Sequence, residues 1–253
     1  PVEDYGDGIF SVNYKDAYQF FLQMGPISNA NAPAYYNNRS KIWNEYTTHD
    51  TYDEYWKSRN IRPHFKQVKP AVLVVGGWFD AEDLFGALET YRAIEKNNSV
   101  NDNRLVMGPW THGAWASGNW SQFATHDFKQ NTSKFYQDEI ETPFFNFYLK
   151  DKGQINLPEA YIFETGKNEW QKYAQWPPAD MQPVHYFLRN NGGLSTGNQT
   201  NAKEYTEYNS DPARPVPYTN MISRGRNNEY MAEDQRFASR RPDVLVFMTD
   251  TLT

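Results

Sequence analysis

AVLVVGGWFDAEDLFGALETYRAI, Ala71 to Ile94, is the stretch that decides the fold. It opens on a continuous apolar, β-branched run, the pattern of a strand buried on both faces in a parallel sheet. The run ends in Gly76-Gly77, and three carboxylates, Asp80, Glu82 and Asp83, then fall within four residues. From Glu82 onward Leu84, Leu88, Tyr91 and Ile94 recur at helical spacing. Strand, charged loop and helix in that order predict one α/β unit.

Working outward, RLVMG (Arg104 to Gly108) reads as a second short buried strand, followed by the loop PWTHGAWASG. SKFYQDEIETPFFNFYLKDKG reads as a long amphipathic helix with a bend at Pro143. The repeated order of strand, loop and helix predicts an α/β sheet whose functional loops follow the carboxyl ends of the strands. Upstream, YKDAYQFFLQMG carries Tyr14, Tyr18 and Phe21 at helical spacing with Gly25 as C-cap, and APAYYNN and YDEYWKSRN read as short helices. After Gly153 the period falls to two. AYIFETG, EWQKYA, VHYFLRN, EYTEYN and DVLVFMTDTL read as short strands of an all-β region. The chain stops at Thr253 directly after the last of these and starts at Pro1 without an initiator methionine, so the expectation is a piece of a longer protein.

Composition narrows the function classes. The formal net charge is −6 and the isoelectric point about 5.4, so no nucleic-acid footprint is expected. No apolar run approaches bilayer length, and no membrane partner is expected. The absence of cysteine excludes disulfides, thiolate zinc sites and a cysteine nucleophile, while leaving the compartment open. Aromatic residues make up 17% of a chain whose mean hydropathy is −0.85. That describes a polar surface over aromatic anchors, compatible with an enzyme or a carbohydrate-binding module.

Asp80 and His112 each sit a few residues beyond a buried strand, 32 residues apart, with one loop, one helix and one strand between them. In a serine hydrolase of α/β type the acid and the histidine follow consecutive late strands, and this spacing brings both to one sheet edge. His112 would take the nucleophile's proton, and Asp80 would fix its tautomer. The alternative is that Asp80 and Asp83 cap the following helix and His112 is an ordinary loop residue. Glu82 and Asp83 have two readings as well. Carboxylates in a first helical turn gain about 0.3–1 kcal/mol from the macrodipole and need no further cause. They would equally form an anionic pocket for a substrate ammonium.

The one G-x-S-x-G match is GLSTG, around Ser195. It lies after both partners and leads into another strand, so it reads as a hairpin turn and leaves the nucleophile outside these residues. His49, His64, His126 and His185 fall at no metal-ligand spacing, and no metal is expected.

Several blocks together, VLVVGGWFDAEDLFGALETYRAI, NRLVMGPWTHG, ETPFFNFYLK, YIFETGKNEWQKYAQWPP, YFLRNNGGLS, YNSDPARPVPY and RRPDVLVFMTDTLT, resemble successive segments of the α-amino acid ester hydrolases. These belong to the wider X-Pro dipeptidyl-peptidase and cocaine esterase-like serine hydrolases. The resemblance implies three parts: residues 1–68 as the later part of a helical cap, 69–152 as the end of an α/β-hydrolase core, and 153–253 as the first strands of a jelly-roll sandwich. It makes Asp80 and His112 the triad acid and histidine, with the serine elbow and the oxyanion tyrosine upstream of Pro1. It assigns Glu82 and Asp83 to an acidic cluster that binds the substrate's α-ammonium, with Glu3 or Asp4 as a third member. It implies hydrolysis or acyl transfer on esters or amides of α-amino acids, of the β-lactam side-chain type, with no cofactor. The partners it implies are a small ester, amide or peptide substrate, the missing N-terminal segment and further copies of the chain in a homo-oligomer. A periplasmic or secreted setting is expected on the same ground. The alternatives are a related acylase or dipeptidyl-peptidase, or an inactive aromatic-rich binding module.

Overall fold

The computed structural model describes residues 14–98, 100–197, 205–225 and 227–251. It divides into two compact units, one of them built on residues 24–179 and the other on 14–23 with the region from Asp180 onward.

In chain order the helix α1 (Ala17–Met24) belongs mostly to the second unit. The first unit then begins with two short helices, α2 (Lys41–Thr48) and α3 (Glu54–Lys57). Each starts on a side-chain cap: Ser40 accepts from the Trp43 N–H and Asp53 from the Tyr55 N–H. Strand β1 (Val72–Gly77), helix α4 (Leu84–Asn97) and strand β2 (Asn103–Gly108) follow as the sequence predicts. A two-residue hairpin, β3 (Gln122–Phe123) and β4 (His126–Asp127), precedes helix α5 (Thr132–Tyr136). A single π-helical turn, Gln137–Glu141, leads into α6 (Thr142–Lys150). The expected long helix is therefore interrupted just before Pro143, which has no N–H to continue the ladder. Strands β5 (Ala160–Glu164) and β6 (Glu169–Tyr173) complete the sheet.

The sheet order is β1-β2-β5-β6, with β1, β2 and β5 parallel and β6 antiparallel. Successive residues of β1, β2 and β5 alternate between two faces. Val74, Leu105, Met107, Ala160 and Ile162 pack with Tyr91, Leu84, Ala87 and Leu88 of α4. Val75, Val106 and Tyr161 pack on the other face with Tyr136, Ile140 and the tryptophans Trp110 and Trp170. Apolar side chains on both faces are what the uninterrupted run VLVV requires.

This topology corrects one expectation. AYIFETG and EWQKYA read as the opening strands of a separate sandwich, yet β5 pairs with β2 from Leu105↔Ala160 to Met107↔Ile162 and extends the core sheet. The division falls between Ala179 and Asp180, well past residue 153, and Tyr14 to Gln23 group with the later region rather than with 24–68. A polar tie reinforces the core: the Tyr91 hydroxyl of α4 donates to Glu159 Oε1, one residue before β5, at 2.8 Å.

In the second unit, Tyr14 stacks on Phe20, the Ala17 N–H donates to the Ser223 carbonyl at 2.7 Å, and the Tyr18 hydroxyl donates to that of Pro215 at 2.6 Å. A hairpin joins β7 (Phe187–Leu188) to β8 (Leu194–Ser195), and Met248 adds an isolated bridge to Gly193. A short helix, α7 (Arg236–Ser239), follows. Among the described residues, EYTEYN and most of DVLVFMTDTL are not in ladders, so these two expected strands are not formed. A strand needs a neighbour for its backbone groups, and in this stretch the Met248 backbone pairs with Gly192 and Leu194.

Partial burial, the largest cause, holds the Glu159 carboxyl above its ordinary range, against the hydrogen bond from Tyr91; neighbouring Glu95 adds to the rise. A carboxyl whose folded pKa is raised contributes stability at low pH that fades as pH rises through that folded value. Glu159→Gln keeps an oxygen for Tyr91 and removes the titration. Melting temperatures measured from pH 4 to 8 are expected to fall less steeply with pH in the variant than in the parent; parallel curves would contradict the assignment.

Candidate active site

The glycine pair is explained by what approaches it. A Cβ on Gly76 would lie 2.8 Å from both Ala87 of α4 and the Met107 sulfur, so α4 can sit close on the sheet only over a glycine. A Cβ on Gly77 would overlap the Trp110 carbonyl oxygen and lie 2.7 Å from its carbon. The two loops that leave β1 and β2 are thereby free to pair. The Trp78 N–H donates to the Gly108 carbonyl at 2.8 Å, and the Phe79 N–H to that of Trp110 at 3.0 Å. One residue beyond the first loop's last bond stands Asp80, and two beyond the second's stands His112.

The second loop is anchored by Trp110, which is fully buried. Its indole N–H donates to Thr132 Oγ1 at 3.1 Å, and its ring meets Trp115, Tyr136 and Trp170. The buried Trp110 and the chain reversal at Gly113, φ 74°, hold the segment on which His112 is displayed.

His112 Nδ1 lies 3.0 Å from Asp80 Oδ2. The Asp80 side chain is 3% exposed and that of His112 48%. Asp80 Oδ1 accepts from the Glu82 and Asp83 backbone N–H groups at 2.8 and 3.0 Å, which leaves Oδ2 to the ring. A carboxylate oxygen only accepts, so Nδ1 carries the proton and Nε2 is left as the basic nitrogen. A buried acid holding an exposed imidazole in this tautomer is the arrangement a general base needs. The two sequence readings of Asp80 thus coexist: one oxygen ties the turn before α4 and the other orients His112.

Glu82 and Asp83 are both exposed, on the same turn. Asp83 stands at the N-cap position of α4, yet its side chain makes no capping bond. Its carboxylate lies over Gly86, where an added Cβ would overlap Oδ1. Glu3 and Asp4 lie outside the described residues. Ser195 sits in β8, its hydroxyl oxygen accepting from Arg189 Nε at 2.7 Å. His49 pairs with Asp53 at 2.6 Å and His126 stacks near Phe79. Among the described residues no three histidine or acidic side chains stand together as a metal site. Nor is any helix among them long and apolar enough to cross a membrane.

The sequence places Asp80 and His112 just beyond β1 and β2, and the structure brings the two side chains together; of the backbone pairing that joins their loops the sequence carries one sign, the glycine at position 77.

Comparison with known proteins shows what the chain is similar to. The model of the X-Pro dipeptidyl-peptidase (S15) family matches residues 13–114. The chain is 28% identical to cocaine esterase of Rhodococcus sp. (strain MB1 Bresler) over 219 residues, which is 81% of this chain and 36% of that protein. Among solved structures, a selenomethionine-labelled α-amino acid ester hydrolase superposes with a TM-score of 0.86 at 29% identity, over 96% of this chain and 42% of the other. An aminopeptidase from the marine sediment archaeon Thaumarchaeota archaeon gives 0.85 at 27%, over 96% and 41%. The chain spans well under half the length of these relatives.

Gly77→Ala tests the loop pairing. Forcing a methyl group against the Trp110 carbonyl is expected to cost about 1–3 kcal/mol, as overpacking does. Chemical denaturation of the intact protein would show it. A variant as stable as the parent would mean that the loops part without cost.

Proposed function

We propose that this chain, which belongs to the X-Pro dipeptidyl-peptidase and cocaine esterase-like hydrolases, supplies the acid and the histidine of a Ser-His-Asp hydrolase that cleaves esters or amides through an acyl-enzyme. The observation that carries the reading is the 3.0 Å bond from the His112 ring to the buried Asp80, with the other ring nitrogen left basic on an exposed imidazole. In the mechanism His112 Nε2 accepts the proton of a serine hydroxyl as the oxygen attacks the substrate carbonyl, and Asp80 stabilises the imidazolium that forms. The same ring then gives that proton to the leaving alcohol or amine. In the second half-reaction it activates water against the acyl-enzyme. The serine and the oxyanion donors belong to the part of the protein upstream of Pro1, as the resemblance implies.

The substrate is read as an ester or amide with a free α-amino group, including the β-lactam side-chain type. Two of the structural relatives, by their names, act on such groups: an α-amino acid ester hydrolase and an aminopeptidase. Glu82 and Asp83 supply the negative charge, on the turn whose amides hold Asp80, so an ammonium bound there lies beside the catalytic pair. The match to a dipeptidyl-peptidase family supports a second reading, in which the same ammonium is a peptide N-terminus and proline occupies the acyl position.

Rates on phenylglycine methyl ester and its N-acetyl analogue, measured side by side with the intact protein, test this reading. A strong preference for the free amine is expected. Glu82→Gln with Asp83→Asn should raise KM for the free-amine ester by about ten- to a hundredfold, the worth of charge-assisted hydrogen bonds, and leave the N-acetyl ester nearly unchanged. Equal effects on both would return the pair to a local role in the helix start. No hydrolysis of either ester, nor of an X-Pro anilide, would remove the hydrolase reading itself.

A further inference from the structure

The His112 side chain bonds to Asp80, and its ring edge meets Trp115 at 6.3 Å. The imidazole is otherwise half-exposed, so its position follows the backbone that carries it. That backbone is a short construction. Gly113 reverses the chain, and one 3-10 turn, Ala114–Ala116, follows. The turn is closed by the Ala114 N–H on the Thr111 carbonyl, Ala116 on Gly113 and Ser117 on Ala114, all at 3.0–3.1 Å. Such a turn ends with carbonyls that have no acceptor role inside it.

Two of them, those of Trp115 and Ser117, receive the Gln137 amide, whose Nε2 lies 2.9 Å from each oxygen. Both amide hydrogens are thereby engaged. Gln137 opens the π-helical turn between α5 and α6, a break of the kind that often marks a functional position. The start of α5 is held in place in turn. Asn131 Oδ1 accepts from the backbone N–H of Lys134 and of Trp120, and the Trp120 indole N–H donates to the Pro109 carbonyl at 2.7 Å. Gln137 therefore reaches the histidine loop from a helix that is itself pinned to the start of that loop.

We propose that Gln137 is a positioning residue for the catalytic histidine: its amide spans the Trp115 and Ser117 carbonyls and so holds the loop in the register that keeps His112 on Asp80. This rests on the reading of His112 and Asp80 as base and orienting acid. The chemistry is specific to an amide of this length. Glutamate would set oxygen against two carbonyl oxygens, methionine would leave both without a donor, and asparagine is one methylene short.

The test is a double-mutant cycle on the intact protein with the substrate it turns over best. Gln137→Met is expected to lower kcat by about tenfold or more, since misplacing a catalytic group by about 1 Å can cost up to about a hundredfold, with KM changed by less than about twofold. In an Asp80→Asn background, where the ring has already lost its partner, Gln137→Met should add little, because both substitutions act on the placement of His112. Unchanged kcat, a change confined to KM, or the same fractional loss in both backgrounds would each overturn the proposal. If Gln137→Met does not fold, Gln137→Asn, which keeps the amide but one methylene short of the two carbonyls, carries the same cycle. Asp80→Asn alone separates the premises. Should it leave kcat intact, the catalytic pair is misassigned; should it collapse kcat while Gln137→Met does nothing, only the role of Gln137 fails.

Discussion

Two backbone hydrogen bonds, from Trp78 to Gly108 and from Phe79 to Trp110, are the constraint on which the site depends. Parallel strands side by side bring their following loops to the same edge, but they do not set the distance between particular side chains in them. The pairing of the loops does. It requires a backbone without a Cβ at position 77, because the Trp110 carbonyl occupies that space. From those two bonds the chain needs one further residue to present Asp80 and two to present His112. The fixed pair of side chains is thus a product of main-chain geometry, which is stiffer than any arrangement of rotamers.

Asp80 illustrates how a buried carboxylate is kept from being a liability. Burying a charge without partners is costly. Here Oδ1 takes two backbone amides and Oδ2 takes the imidazole. The amides come from Glu82 and Asp83, whose own carboxylates stay exposed. One turn therefore anchors the acid with its main chain and presents negative charge with its side chains. Helix start and acid–histidine contact use the same four-residue segment, Asp80 to Asp83, and neither function displaces the other.

Much of this was legible in the sequence, for identifiable reasons. VLVV and RLVMG announced buried parallel strands because both faces are apolar, and the helical spacing of Leu84, Leu88, Tyr91 and Ile94 matches α4. With the strands placed, the positions of Asp80 and His112 followed from chain order. The assignment of AYIFETG and EWQKYA to a separate sandwich failed because a period of two identifies a strand but not its neighbour. Ala160 and Ile162 are buried against β2 and α4, which no local pattern records. Gln137 was invisible for a related reason. Its amide serves carbonyls 20 and 22 residues earlier, and a glutamine on a helix surface looks like any solvated residue.

Whether Asp80 and His112 activate a serine is read from the rate at which a fluorophosphonate labels the intact protein, since a serine activated by a histidine reacts fast. Stoichiometric labelling of one serine is expected, slowed by at least about a hundredfold in Asp80→Asn and in His112→Ala, where the base is misoriented or missing. Labelling at the parent rate in both variants would show that Asp80 and His112, for all their geometry, are not the pair that activates the nucleophile.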